Sequence, residues 1–500
     1  MTGCRLNATR HYNERMTWIL NIAPVAALIA MAMSLTHLAP IAVSLALDDG
    51  TTRAWMLSMA INFVAGAVIW LATHRHKREL SMREGILLVV TVWTGGALFA
   101  SLPLLLTIPQ LSFTDACFEA VSGLTATGAT VLTGLDHLPP SVNVWRALLQ
   151  WMGGMGVIVL VVAILPVLGV GGRQISISEI PGPMKNEQLT PRVTQTAKGL
   201  WLIYAVLTLA CAFAYYWAGM SPLDAVIHSF TTLSLGGFSS HDASLGFFNS
   251  AAVDCVAIAF MTIAGINFAT HFLVWRKKSL RPYARDTEAR YFILMIFASV
   301  AGIAMLLYSD GVYPDFMTAL RHAAFTIVSV GTTTGYSISD YNVWPAFAPL
   351  WILFLGTFLS CSGSTGGGIK MMRAVILYRQ IYREIKHLAH PNAVTPVKVA
   401  GQVVADPVVF AVLGFFFIWV VLLVTITLIL GWTGLDAMTA FSAAVATLNN
   451  IGPGLHQVGP ATNFQVLTDF QTWVCAFAML LGRLELFALL VVFTPAFWRK

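Results

Sequence analysis

Residues 408–430 contain no charged side chain, and residues 54–72 and 85–107 contain none either. Each run meets the roughly 20 apolar residues that a helix needs to cross a bilayer. A helix on a soluble core has no use for such a run, because its outer face stays polar. Composition agrees: 57% of residues are hydrophobic and 10% charged, whereas a soluble domain carries about a quarter charged. The chain is therefore read as an all-α integral membrane protein. Ten transmembrane helices are expected, near residues 18–45, 54–73, 85–107, 145–170, 199–219, 250–275, 290–309, 346–376, 408–431 and 470–497.

The first run follows a basic start (Arg5, Arg10, Arg15) and exceeds the 7–15 apolar residues of a signal peptide, so a retained helix is expected. Pro24, His37 and Pro40 predict that it is kinked or partly interfacial. The six cysteines (Cys4, Cys117, Cys211, Cys255, Cys361, Cys475) are scattered, with neither a disulfide framework nor metal-ligand spacing.

Charge orients the chain. With the N-terminus inside and the side alternating at each span, the inner segments 1–16, 74–84, 170–198, 276–290, 370–406 and 499–500 hold 25 of the 29 Lys and Arg residues. Only Arg53, Arg146 and Arg321 fall outside, and Arg483 lies within the last span. This positive-inside bias puts both termini in the cytoplasm. Thirteen acidic residues lie outside and nine inside, so the outer face sums to −10 and the inner to +16. Basic inner loops are the ordinary topology signal and do not imply nucleic acid. An acidic outer vestibule concentrates cations.

The outer loops repeat one pattern four times, in residues 113–130, 221–239, 314–337 and 434–454. In each, an aspartate (Asp115, Asp224, Asp315, Asp436) stands where an N-cap belongs. An apolar stretch of about 10–14 residues follows, too short to span, and then a turn of small residues. Each unit reads as membrane helix, re-entrant half-helix, glycine-centred turn, membrane helix. The half-helix points its partially negative C-terminus into the protein, which favours a cation. The chain then returns as irregular backbone, tolerated at membrane depth only where it is buried or lines a cavity. Aligning Gly128, Gly237, Gly335 and Gly452 gives a lining of Ala126-Thr127-Gly128, Leu235-Gly236-Gly237, Thr333-Thr334-Gly335 and Asn450-Ile451-Gly452. Four such turns around one axis would ring a pore with backbone carbonyls, which can replace the water shell of K+. No carboxylate occupies these positions, which disfavours a divalent-cation filter. The third unit has the longest approach to its glycine, and the fourth offers Asn450 and Ile451 where the others carry mostly small residues or threonine.

The chain resembles the TrkH/KtrB superfamily of potassium transporters, most closely its TrkH branch, over essentially its whole length. The resemblance is carried by residues 122–130 (SGLTATGAT), 150–156 (QWMGGMG), 236–239 (GGFS), 363–368 (GSTGGG), 390–393 (HPNA), 446–454 (ATLNNIGPG) and 482–485 (GRLE). It implies four pseudo-symmetric pore repeats (85–198, 199–289, 290–400 and 401–500) after an extra helix pair at 1–84. It implies K+ as the transported ion with no organic cofactor, a bacterial inner membrane, a homodimer with one pore per subunit, and a cytosolic nucleotide-binding regulatory ring. Related plant sodium transporters have serine at the position of Gly128, so glycine here favours potassium.

The eighth expected span breaks into residues 360–368 (SCSGSTGGG) about 20 Å into the membrane at 1.5 Å per residue. So many glycines cannot hold a helix. Close helix packing would also use small residues. The resemblance implies instead a gate loop across the pore, Gly363, Ser364, Thr365, Gly366, Gly367 and Gly368, with Lys370 and Arg483 beside it. A phosphate-binding loop is rejected, because Ile369 separates the last glycine from Lys370. Arg483 stands about half-way along the last span, where a lone charge is costly, and Glu485 two positions on cannot share its helix face. It pairs with another acid or with carbonyls, or it lines the pore beneath the filter as the resemblance implies. His228, His271 and His322 are expected in hydrogen-bonded structural roles. The basic segments 276–290 and 373–398 are expected to dock the regulatory ring, and they also suit anionic lipid.

Two other functions fit the sequence less well. A sodium or mixed monovalent channel is opposed by Gly128. An intramembrane enzyme would need acids or histidines clustered at one membrane face, and would give no reason for four repeated turns.

Overall fold

A computed structural model describes residues 2–75, 80–159 and 193–499. The end of the fourth expected span and most of the basic segment 170–198 lie outside the described residues. Among those described, six helices are long and apolar enough to cross a membrane: Trp18–Leu47, Thr52–Thr73, Met82–Thr107, Ala197–Trp217, Thr287–Ser309 and Asp406–Trp432. The first is interrupted between Leu35 and Leu38, at His37 rather than at Pro24. Pro40 falls in the first turn of the second piece, where its missing N–H removes no helical bond.

Three further expected spans are not continuous helices. The sixth divides into Ala251–Gly265 and Phe268–Lys277, bent by 92°. Asn267 starts the second piece by accepting from the Ala269 amide at 2.8 Å. The tenth divides into Asp469–Arg483 and Phe487–Phe493, bent by 111°, with Glu485 and Leu486 both at positive φ. The eighth is the helix Phe347–Phe358, a glycine-rich loop, and the helix Met371–Ala389. A two-stranded hairpin pairs Lys398 with Val403 and Val399 with Gln402.

The apolar packing forms two large bodies. One gathers Tyr204, Phe268, Phe292, Phe325 and Ile352. The other gathers Trp55, Phe118, Trp145, Phe464 and Met479. Four short helices contribute to them: Pro222–Leu233 and Phe316–Gly331 to the first, Phe113–Leu124 and Ala437–Leu448 to the second.

Their starts correct the aspartate alignment. Asp315 and Asp436 are N-caps, accepting from Thr318 N at 2.8 Å and Thr439 N at 3.0 Å. In the first two helices the cap is Ser112 or Ser221, whose hydroxyl accepts from the amide of Asp115 or Asp224 three residues on. The carboxylates of those aspartates accept the serine hydroxyls in return. Counted from the true caps, the aligned glycine lies 16 residues on in units one, two and four (128 − 112, 237 − 221, 452 − 436) and 20 in unit three (335 − 315). The third helix has 16 residues where the others have 12, about one extra turn.

Candidate functional site

All four short helices end in the same way. The amide of Ala126, Leu235, Thr333 or Asn450 bonds to the carbonyl three residues back (Gly123, Thr232, Val330, Thr447), and the next amide bonds five back (Ser122, Thr231, Ser329, Ala446). This is the Schellman closure of a helix, which requires its first post-helical residue in the left-handed region. Glycine usually supplies it. Here Ala126, Leu235, Thr333 and Asn450 do so at φ 49°, 54°, 64° and 54°, a conformation that costs about 1–3 kcal/mol per non-glycine residue. Two residues later Gly128, Gly237, Gly335 and Gly452 return to positive φ at 86°, 76°, 84° and 101°. Alternating backbone of this kind turns successive carbonyls toward one side.

The four glycines close a ring. A Cβ added to Gly128 would meet the carbonyl oxygen of Gly236; on Gly237, that of Thr334; on Gly335, that of Ile451; and on Gly452, that of Thr127. All four approaches are under 3.0 Å, closer than real Cβ atoms come. Each turn thus abuts the next, and the fourth abuts the first. The twelve residues aligned from the sequence come together around this ring. A cavity of about 80 Å³ opens beyond it, lined by Gly128, Gly237, Gly335 and Pro453 together with Arg146 and Asp242.

Side chains behind the ring brace it. Thr125 and Thr127 hydroxyls pair at 2.7 Å, and Thr332 and Thr334 repeat the pair at 2.8 Å. Asn450, the departure noted in the fourth unit, donates to Thr127 Oγ1 at 2.9 Å and to Met479 O at 3.0 Å, joining units four and one. Gln150 donates to Gly236 O at 2.7 Å and accepts from Phe238 N at 3.0 Å. Arg146 and Glu119 form a buried ion pair at 2.7 Å. Arg146 also donates to Ser239 O at 2.9 Å, while Glu119 accepts from Thr130 Oγ1 at 3.0 Å. Gln150 and the Glu119–Arg146 pair escaped the sequence reading, although Glu119 interrupts an apolar half-helix and Gln150 opens one of the quoted motifs.

The glycine-rich loop lies against the inner ends of these helices. Thr365 Oγ1 donates to Leu233 O at 3.0 Å, Ser360 Oγ to Thr332 O at 3.2 Å, and Gly367 N to Thr333 Oγ1 at 2.8 Å. A Cβ on Gly367 would strike Asn449 O. Arg483 is buried and donates to Thr365 O at 2.8 Å and to Gly153 O at 3.1 Å. A Cβ on Gly153 would collide in turn with Leu124 O at the end of the first short helix. The loop therefore touches three helix ends, and Arg483 links it through Gly153 to the fourth. Within the loop, Lys370 Nζ donates to Gly366 O and Ser364 Oγ to Cys361 O. Gly363 packs on Asn267, and Gly368 has φ +77° beside Thr357 O. Glu485 pairs with Arg373 at 2.5 Å and not with Arg483.

At the mouth, His241 lies between carboxylates: Nδ1 is 2.5 Å from Asp136 Oδ1, and Nε2 is 3.4 Å from Asp224 Oδ1. Partial burial lowers the imidazole pKa, but the two carboxylates outweigh it and hold the value above the ordinary one. The outer acids are thus not all bare: His241 lies against two of them, and Asp254 is held by Arg321 at 2.6 Å. His228 and His271 are hydrogen-bonded as expected, to Ser239 Oγ at 2.9 Å and Tyr283 OH at 2.6 Å. His322 instead stacks on Tyr313 with 4.5 Å between ring centroids, and its Nδ1 has no hydrogen-bond partner among the described residues.

Fold and site together define an all-helical, multi-pass membrane transport protein. The family model described as TrkH, cation transport protein, matches residues 52–500. The chain belongs to this family, which comprises transport proteins rather than enzymes. It is 45% identical over 481 residues to the "Trk system potassium uptake protein TrkH" of Halomonas elongata, covering 96% of this chain and 99% of that one. It is 43% identical over 480 residues to the protein of the same name from Escherichia coli, with coverage of 96% and 99%. The crystal structure of the potassium transporter TrkH from Vibrio parahaemolyticus superposes with a TM-score of 0.89 at 42% identity, covering 97% of this chain and 100% of that one.

Proposed function

We propose that this chain is the pore-forming subunit of a potassium uptake system of a bacterial inner membrane, with both termini cytoplasmic. The observation that carries the reading is the closed ring of four glycine turns at the ends of four half-helices. In this reading K+ sheds water into carbonyls of the twelve lining residues, and the helix C-termini add partial negative charge. The family membership and the names of the relatives support potassium as cargo. The four units are pseudo-repeats, and the extra pair at 1–84 packs outside them. The glycine-rich loop is the gate, because it touches the helix ends that surround the ring's inner side.

The test is rubidium uptake by the purified chain in liposomes, with sodium as competitor. Uptake that sodium suppresses only weakly is expected. No rubidium flux, or equal sodium flux, would overturn the reading. Deleting residues 364–367 should raise basal flux severalfold. A folded deletion protein that conducts no better removes the loop from the gate.

The partners belong to the same proposal: a second copy of the chain and a cytosolic nucleotide-binding ring, with lipid around them. Tyr378, Ile381, Tyr382 and Ile385 are exposed at helical spacing on Met371–Ala389, a stripe that supports a protein contact there. Arg281 and Arg285 are exposed on the basic segment 276–290. Reversing both charges should weaken ring capture at least tenfold, measured by pull-down from detergent. Undiminished capture takes these two residues out of the interface.

A further inference from the structure

Glu288 is buried, 1% exposed, in the first turn of Thr287–Ser309, and no part of the transport reading above uses it. One of its oxygens, Oε1, accepts two backbone amides: Ser362 N at 2.6 Å and Met372 N at 3.0 Å. These amides stand at the two ends of the glycine-rich loop. Ser362 immediately precedes Gly363. Met372 is in the first turn of the helix that follows the loop, where amides have no intrahelical acceptor and the helix dipole favours an anion. The other oxygen, Oε2, is buried with no hydrogen-bond partner among the described residues. The carboxylate therefore spends its bonding on the loop's two ends.

Glu288 is also tied to the basic segment beside it. Asp286 caps the same helix, accepting from Glu288 N at 3.0 Å and Ala289 N at 3.2 Å. Its second oxygen accepts Thr270 Oγ1 at 2.7 Å. Thr270 lies on Phe268–Lys277, whose first amide, Phe268 N, bonds to Gly363 O at 3.1 Å. His271 on that helix meets Tyr283 OH at 2.6 Å, which joins it to the short helix bearing Arg281 and Arg285. Residues 267–290 thus form one hydrogen-bonded unit, with exposed arginines at one end and the loop at the other.

We propose that Glu288 is a positioning residue that clasps both ends of the loop, and that displacement of the 267–290 unit by a docked partner opens the pore by drawing this carboxylate away from Ser362 and Met372. The inference rests on reading the loop as the gate. The two bonds together are worth about a decade or more in the closed–open balance.

The test is rubidium flux per folded protein in liposomes without any partner. Glu288→Ala should raise it at least about tenfold, with preference for rubidium over sodium unchanged. Glu288→Gln keeps an acceptor oxygen and the volume, so it should give a smaller rise; it replaces the alanine variant as the deciding measurement if that one does not fold. In the protein lacking residues 364–367, Glu288→Ala should add no further flux, since the two changes act through one element. A merely structural glutamate would lower flux in both backgrounds. If the deletion raises flux but neither Glu288 variant does, the clasp is overturned while the gate stands. If the deletion itself changes nothing, the gate reading fails first and the clasp with it.

Discussion

Gly128→Ser is expected to reduce the preference for potassium over sodium by at least about tenfold, or about 1.4 kcal/mol. Gly128 has φ +86°, and an added Cβ would sit against the carbonyl of Gly236, with the carbonyl carbon 3.3 Å away. A β-carbon there meets backbone of the neighbouring turn, which cannot swing aside as a side chain would. Either the first turn abandons its backbone angles or the Gly236 carbonyl is displaced. The second outcome carries further, because Gln150 holds that carbonyl from behind at 2.7 Å. Discrimination between the two ions depends on the number and field strength of the carbonyls, so displacement of one quarter reaches the whole ring. Gly134→Ser is the control. Gly134 also has positive φ, at 68°, but a Cβ there meets nothing within 4 Å. Its selectivity should equal that of the unaltered protein. Sodium competition against rubidium uptake measures both, and equal selectivity in the two variants would take Gly128 out of the discriminating ring.

The parts of this fold that were legible in the sequence are those written as repetition. Four spaced copies of one half-helix and turn gave the aligned glycines, because only a few residue types suit a turn that must reverse at membrane depth without a side chain in the way. The starts of those helices were misaligned for a local reason. Aspartate serves at the cap in units three and four and three residues later in units one and two, so aligning aspartates shifts half of the set. The bends at residues 266–267 and 484–486 were not read as breaks, because the few polar residues there (Asn267, Arg483, Glu485) leave the long stretches around them apolar. The pair of Glu119 and Arg146 was counted as two outer charges. The residues are 27 positions apart, and only the packing of two helices brings them to 2.7 Å. Glu288 was invisible for the same reason: its partners are backbone amides 74 and 84 residues away, and amides carry no sequence signature.

Arg483→Ala is expected to increase flux, by about tenfold or more. Two effects point the same way. On the proposed pore reading the guanidinium opposes a cation leaving the ring: repulsion of unit charges at 4 Å is about 4 kcal/mol at an effective dielectric near 20, and water in the pathway lowers it. The same group binds Thr365 O and Gly153 O, so it also holds the glycine-rich loop to the segment that packs on the first short helix. Its removal frees the loop and takes away the charge. Glu485 is not left unpaired, because its partner is Arg373. The collapse that follows removal of one member of a buried ion pair is therefore not expected here. If the proposed pore runs past Arg483, water in it can solvate the freed carbonyls of Thr365 and Gly153. Arg483→Lys separates the two effects. It keeps the positive charge, but a single ammonium on a flexible stem does not reproduce the fixed fork that spans both carbonyls. If repulsion dominates, the lysine variant stays near the basal flux; if the tie to the loop dominates, it rises with the alanine variant. The deciding quantity is rubidium flux per folded protein, with folding judged by monodispersity in detergent. A decrease for Arg483→Ala on that scale would mean that the arginine supports the pathway rather than restrains it.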